Sequence, residues 1–197
     1  VSRYKFELSG GRLCLDFANT VESRPTERRR DLLESYADLA AWSRASRILS
    51  PADERALLRR AHRSPARAAR VLRQARSLRE ALFAAFAHRS RTAVDEIQKE
   101  LPRAYRRPIL RRFHLLWGDD PRSLDGMLGP VLRSAVELLT SEELERVRVC
   151  GAEDCDWLFL DESRSRSRQW CNMASCGNRA KARRFYRRHR GRRNRGR

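Results

Sequence analysis

The sequence predicts an α+β protein, with a mainly helical N-terminal domain carrying a small β-sheet and a small C-terminal module made of a β-hairpin and a basic helix. Three observations carry this. Apolar residues recur at helical spacing through much of residues 35–140, and short alternating runs occur near the start and around residues 147–160. Four of the five cysteines fall between positions 150 and 176, directly before an arginine-rich stretch.

At the start, Tyr4, Phe6 and Leu8 alternate with polar residues, as do Leu13, Leu15 and Phe17 after Gly10-Gly11, so a hairpin turning through Ser9-Gly10-Gly11 is expected. Ser23 to Arg30 then reads as a charged loop. Ser35 can cap a helix bearing Leu39, Ala40 and Trp42. Ser50-Pro51 places a cap before a proline at the first helical position, with Asp53 and Glu54 in the turn where the helix dipole favours acids. Ser64-Pro65 repeats the device and opens the longest helix, with Ala68, Val71, Leu72, Ala75, Leu78, Leu82 and Phe86 as its apolar stripe. Another helix starts near Thr92 and ends before Tyr105. Ile109 to Trp117 reads as a strand closed by a turn at Gly118 to Pro121. Ser123 can cap a last helix with Leu124, Met127, Leu128, Val131, Leu132, Ala135 and Leu138 inward, in which Gly126 and Gly129 each cost about 1 kcal/mol relative to alanine. The junction between the two units falls at Ser141 to Glu145, which gives a first domain of residues 1–145, a module of 146–190 and a basic disordered tail of 191–197.

The net charge of +19 is unevenly placed. Ser163 to Arg197 holds 14 Lys and Arg with no acid, while the rest of the chain sets 30 against 25. A polyanion is therefore the expected partner, and without an amphipathic anchor nucleic acid ranks above a lipid surface. No apolar run has membrane-spanning length and Val1 to Ser9 lacks the apolar run of a secretory signal, so the expected location is cytoplasmic and nucleoid-associated, with no membrane partner. Cysteines in such a compartment argue against a disulfide framework.

Cys150, Cys155, Cys171 and Cys176 form a C-x4-C-x15-C-x4-C pattern. Two short loops can each present two thiolates to one Zn2+, and a site with four protein ligands leaves no position for water or substrate, so the expected zinc is structural. A segment this small and poor in core residues needs such a staple. Trp157 to Leu160 supply a strand that returns against Val147 and Val149. After Cys176 the helical projection groups Ala182, Phe185, Tyr186 and His189 on one side, Phe185 being expected to pack on the cysteine loops. The candidate nucleic-acid contacts are Asn178, Arg179, Lys181, Arg183, Arg184, Arg187 and Arg188 on this helix and Arg164, Arg166 and Arg168 on the preceding loop. For Asn178 a helix-capping or thiolate-bonding role stands equally open.

The stretch Cys176-Gly177-Asn178-Arg179, with Trp157-Leu158-Phe159-Leu160-Asp161, Ser163, Arg168-Gln169-Trp170-Cys171 and Lys181-Ala182-Arg183, resembles a CGNR-type zinc finger. Gln169 stands where the usual pattern has an arginine, which removes one phosphate contact. Leu13-Cys14-Leu15-Asp16-Phe17-Ala18-Asn19-Thr20 and Asp38-Leu39-Ala40-Ala41-Trp42 resemble the ABATE domain that commonly precedes this finger. The resemblance implies a bacterial stress-induced transcription regulator, its finger binding DNA and its first domain sensing a small-molecule effector. Asp16, Asn19 and Thr20 either line a ligand pocket or hydrogen-bond neighbouring backbone.

The leading expectation is a zinc-finger regulator that binds DNA, with a first domain that senses a ligand or forms a homodimer. RNA or ribosome association is the alternative, because phosphate affinity does not separate the polymers. An enzyme is not expected, since no nucleophile elbow, P-loop or dinucleotide fingerprint occurs and His62, His88, His114 and His189 lack ligand spacing.

Overall fold

The computed structural model describes residues 4–105, 108–111, 114–117, 120 and 122–193. Leu13–Ala18 (α1) is followed by the two-residue strands Val21–Glu22 (β1) and Arg30–Asp31 (β2), then by four helices, Tyr36–Ala45 (α2), Pro51–Arg63 (α3), Pro65–His88 (α4) and Arg91–Ala104 (α5). A hairpin of Pro108–Arg111 (β3) and His114–Trp117 (β4) precedes Leu128–Leu139 (α6). Beyond a 3-10 turn at Glu142–Arg146, Val147–Val149 (β5) pairs with Leu158–Leu160 (β6), and Asn178–Arg193 (α7) ends the described chain. Every sheet among the described residues is a two-stranded antiparallel ribbon. No described helix is long and apolar enough to cross a membrane.

The local start signals act as expected at α2 and α3. Ser35 and Ser50 each accept a bond from the amide three residues on, and Asp38 and Asp53 bond back to the serine amides. The α4 stripe is buried as Ala68, Val71, Ala75, Leu78, Leu82 and Phe86, with Leu72 partly buried beside them. Helix α5 is capped by Ser90, two residues before the expected start. Where one strand was expected at Ile109 to Trp117 a hairpin stands. The turn at Gly118 to Pro121 lies outside the described residues except for Asp120, as do residues 194–197 of the tail. The last helix of the first domain starts at Leu128 rather than after Ser123. Residues 123–127 form tight turns in which a Cβ on Gly126 would meet the Asp120 carbonyl oxygen at 2.3 Å.

The largest correction is at Leu13–Ala18, a helix rather than a strand. Three alternations are too few to separate the two periods when almost every position is buried. Cys14, Leu15, Phe17 and Ala18 are all inaccessible, because α1 lies at the centre against α4, α6 and β6. Gly11, at φ +80°, turns the chain into the helix, and Asp16 Oδ1 accepts the Gly10 amide at 2.8 Å.

The residues proposed for a ligand pocket are bonded to backbone. Asn19 donates to the Leu158 carbonyl at 2.8 Å and accepts its amide at 2.7 Å, while Thr20 donates to the Phe17 carbonyl at 2.8 Å. Burial pushes the Asp16 carboxyl up to about 6 against the opposing pull of the Gly10 amide. A carboxyl with a raised folded pKa contributes stability in its protonated form, complete below the ordinary value of 3.8 and lost as pH rises through about 6. Asp16→Asn is therefore expected to gain on the wild type between about pH 4 and pH 8. Urea midpoints at both pH values check this, and an unchanged difference would overturn it.

Candidate metal centre and basic helix

The chain beyond residue 146 is assembled around the β5–β6 hairpin. Val147 faces Leu160 and Val149 faces Leu158, so the ribbon delivers Cys150 and Cys155 on the loop it encloses. The Cys150 amide continues the ladder to the Trp157 carbonyl at 2.8 Å, and the Cys155 amide closes on the Ala152 carbonyl at 3.0 Å. Asp161, fully buried, organises the next loop: its carboxylate accepts the Ser163 amide and hydroxyl and the Arg168 amide. Burial alone would raise this carboxyl, but those bonds hold it below the ordinary range. The loop returns to Gly151, whose amide donates to the Gln169 carbonyl at 2.9 Å, and sets Cys171 beside the first pair. A π-turn at Met173–Gly177 then carries Cys176 in and runs directly into α7. Gly177 packs closely there: a Cβ would lie 2.2 Å from Met173 Sδ, displacing that side chain, and 3.2 Å from Trp170.

The four sulfurs converge. All lie within 4.8 Å of one another, with Cys155 and Cys171 3.8 Å apart and Cys171 and Cys176 3.6 Å apart. A tetrahedron with Zn–S bonds of about 2.3 Å has edges of about 3.8 Å, so the thiols fit the ion. All four residues are buried, in a small core with Ala152, Trp157 and Phe159, and Trp170 closes over it. Around the sulfurs, the Cys171 amide donates to Cys150 Sγ at 3.4 Å and Arg179 Nη2 to Cys176 Sγ at 3.2 Å, both opposing the negative charge of a tetrathiolate centre.

The family model for ABATE, described as "Putative stress-induced transcription regulator", matches residues 11–142, about two thirds of the chain. The chain belongs to the ABATE family. In this ABATE protein residues 146–189 match the model of the CGNR zinc finger, so the four cysteines form a structural zinc site whose two pairs were legible in spacing and whose hairpin, enclosing the first pair, was legible in alternation. A search of curated proteins finds no match.

The finger of this ABATE protein is joined to the helical domain through its strands. Val147, Leu158 and Leu160 belong to the main hydrophobic core, the Leu160 amide donates to the Gly10 carbonyl at 2.8 Å, and Trp157 Nε1 donates to the Val21 carbonyl at 2.9 Å. Arg24 lies over the Phe83 ring and reaches Glu80 at 2.5 Å and Asp156 at 4.0 Å, tying the loop after Cys155 to α4.

The basic helix is rotated relative to expectation. Phe185 and Tyr186 are 55% and 69% exposed, and Trp170 occupies the place on the finger core expected for Phe185. Arg179, Arg183 and Arg187, at four-residue spacing, instead face the acidic tip of the cysteine loop. Arg183 meets Asp154 at 2.8 Å, Arg187 meets Glu153 at 2.7 Å, and Arg179 approaches Asp154 at 3.6 Å. Glu153 and Asp154 were missed because no local pattern shows which face of a helix a loop thirty residues earlier will meet; the repeat of arginines every four residues was the available signal. Arg168 is not a free phosphate clamp. Its guanidinium stacks 4.5 Å over Phe159 and donates to the carbonyls of Trp170 and Cys171. Asn178 donates to the Ala174 carbonyl at 3.1 Å and so fastens the turn entering α7. Arg164, Arg166, Lys181 and Arg184 are exposed and have no side-chain ion pair among the described residues. The Arg188 and His189 side chains lie outside the description.

Proposed function

We propose that this protein is a transcriptional regulator that binds DNA through the exposed arc of α7 and the adjoining loop. The observation that carries the reading is the pair Lys181 and Arg184, held in solvent on a helix whose first turn is fixed by a zinc ligand, with Arg164 and Arg166 on the loop before it. The arginines facing Glu153 and Asp154 form a reserve, because ion pairs this exposed contribute at most about 1 kcal/mol and phosphate can replace the carboxylates. In this reading the chain is a binding protein rather than an enzyme. The helical domain sets the finger's orientation, and effector or homodimer contacts fall on surfaces other than Asp16, Asn19 and Thr20.

Mobility shift or filter binding with the zinc-loaded full chain over a salt series tests it. Binding to duplex DNA is expected to fall steeply with salt, and Lys181→Ala/Arg184→Ala to reduce the log–log slope by about 2 and the affinity about tenfold or more near 0.1 M salt. Duplex binding with no salt dependence, or none at all, would sink the proposal. The exposed Tyr186 supports a second reading, RNA, since an aromatic face can stack an unpaired base. Competition between duplex DNA and structured RNA decides between them.

A further inference from the structure

We infer that the corner between α3 and α4 binds a compact polyanion carrying two or more phosphate groups. An open groove of about 450 Å3 lies there, within the range of small-ligand sites, and four guanidinium groups line it, those of Arg60, Arg63, Arg67 and Arg122. Arg60 and Arg63 stand in the last turn of α3, where the helix dipole favours cations, so these two need no ligand to explain them.

Arg67 and Arg122 have no such explanation. Arg67 stands in the first turn of α4, at the positive end of a 24-residue helix that has no acid in that turn. Ser64, which ends α3 and begins α4, makes no side-chain cap bond, whereas the serines before α2, α3 and α5 all do. Arg122 is brought in from a different segment, its carbonyl accepting Arg60 Nη1 at 2.5 Å. The groove's carboxylate, Asp120, has Oδ1 accepting the Arg122 amide at 2.9 Å. Among the described residues none of the four arginines is in an ion pair, while Arg12, Arg24, Arg44 and Arg79 each are.

Four guanidinium groups sharing one groove with the single described carboxylate of Asp120 repel one another, and a bound anion removes that cost from all of them together. Guanidinium groups match phosphate oxygens in paired hydrogen bonds, and four of them on three segments offer enough donors for two phosphates. Among the described residues the lining includes no aromatic side chain, so recognition there rests on the phosphates and not on a base. An occupant would also reach the core, because Leu124 at the groove's inner edge is buried and its carbonyl accepts the Tyr36 hydroxyl at 2.9 Å.

The phosphates can belong to a free small molecule or to a nucleic-acid backbone, and the test separates the two. Inorganic pyrophosphate is titrated by calorimetry into the zinc-loaded full chain at fixed ionic strength, with sulfate as control. One saturable site is expected, weakened about tenfold or more in Arg67→Ala/Arg122→Ala and unchanged in Lys181→Ala/Arg184→Ala, while duplex affinity of the first variant stays within about twofold. Both positions are exposed, and circular dichroism confirms the variant's fold. Arg67→Gln/Arg122→Gln repeats the measurement should the alanines perturb it. Pyrophosphate no better than sulfate, or loss confined to the α7 variant, overturns the site. Weakened duplex binding with pyrophosphate unaffected overturns the small-anion source and gives the corner to the nucleic-acid backbone. Because the pyrophosphate titration is read without any duplex present, the site and the function proposed above fail separately.

Discussion

Removal of zinc, by a strong chelator or by Cys171→Ser, is expected to destabilise the helical domain as well as the finger. Structural zinc in small fingers supplies roughly 10–16 kcal/mol of apparent binding free energy, most of it folding free energy. The metal's loss frees the loops bearing Cys150, Cys155, Cys171 and Cys176, and those loops hold the ends of β5 and β6. Leu158 and Leu160 on β6 are fully buried in the main core, and the Leu158 amide and carbonyl are both bonded to Asn19. Fraying of β6 therefore leaves the Asn19 amide buried without partners and opens the floor under α1. A drop of about 10 °C or more in Tm is expected, at about 2–4 °C per kcal/mol for a chain of this size. Thermal unfolding followed by far-ultraviolet circular dichroism, which is dominated by the helices of the first domain, provides the check. A helical domain that melts unchanged while the finger signal is lost would show two independent units.

Replacement of Arg79 is expected to be the most damaging single change outside the finger. This side chain is 2% exposed, with Nη1 and Nη2 donating to the two oxygens of Asp31 at 2.6 and 2.8 Å and Nε donating to Glu80 at 3.0 Å. Burial pushes the Asp31 carboxyl up, but the Arg79 bonds and charge pull it below its ordinary value. Arg79→Met removes the partner and leaves a half-buried carboxylate, a loss of about 3–5 kcal/mol by analogy with other broken buried pairs. The pH dependence follows. In the wild type the depressed pKa contributes stability above the unfolded value, lost as pH falls through the folded one. In the variant burial is opposed only by the Leu33 amide and by Arg76, so the carboxyl rises relative to the wild type and the deficit is expected to narrow between about pH 7 and pH 5. Arg79→Met/Asp31→Leu is expected to recover much of the loss, since an apolar pair of similar volume avoids desolvating charge. Urea unfolding of the single and double variants at both pH values measures this, and a single variant within about 1 kcal/mol of wild type would refute it.

What the sequence revealed follows the range of the forces involved. The caps at Ser35 and Ser50 and each of the two cysteine pairs depend on residues within a few positions of one another, and each was visible. The partnership of Arg79 with Asp31 joins residues 48 positions apart, and no spacing rule announces it. Leu13–Ala18 was misread because alternation reports two environments, and this segment has only one. Rotation of α7 was misread for a related reason. Projection showed that apolar and basic sides exist, but the acids at Glu153 and Asp154 decide which side turns inward. That loop attracts charge more strongly than the finger core attracts Phe185, because Trp157, Phe159 and Trp170 already fill the core.

The Asn19 clasp on Leu158 bears on inheritance. A cassette that folds alone can be shuffled between genes, but this finger lends a strand to its neighbour's interior and borrows side-chain bonds from it. A chimera carrying another protein's finger would have to bring along the segment from Gly10 to Val21, from the opposite end of the chain, to fold. Sequence change is most accessible at the solvent-facing positions of α7, where nothing in the helical domain has to adjust.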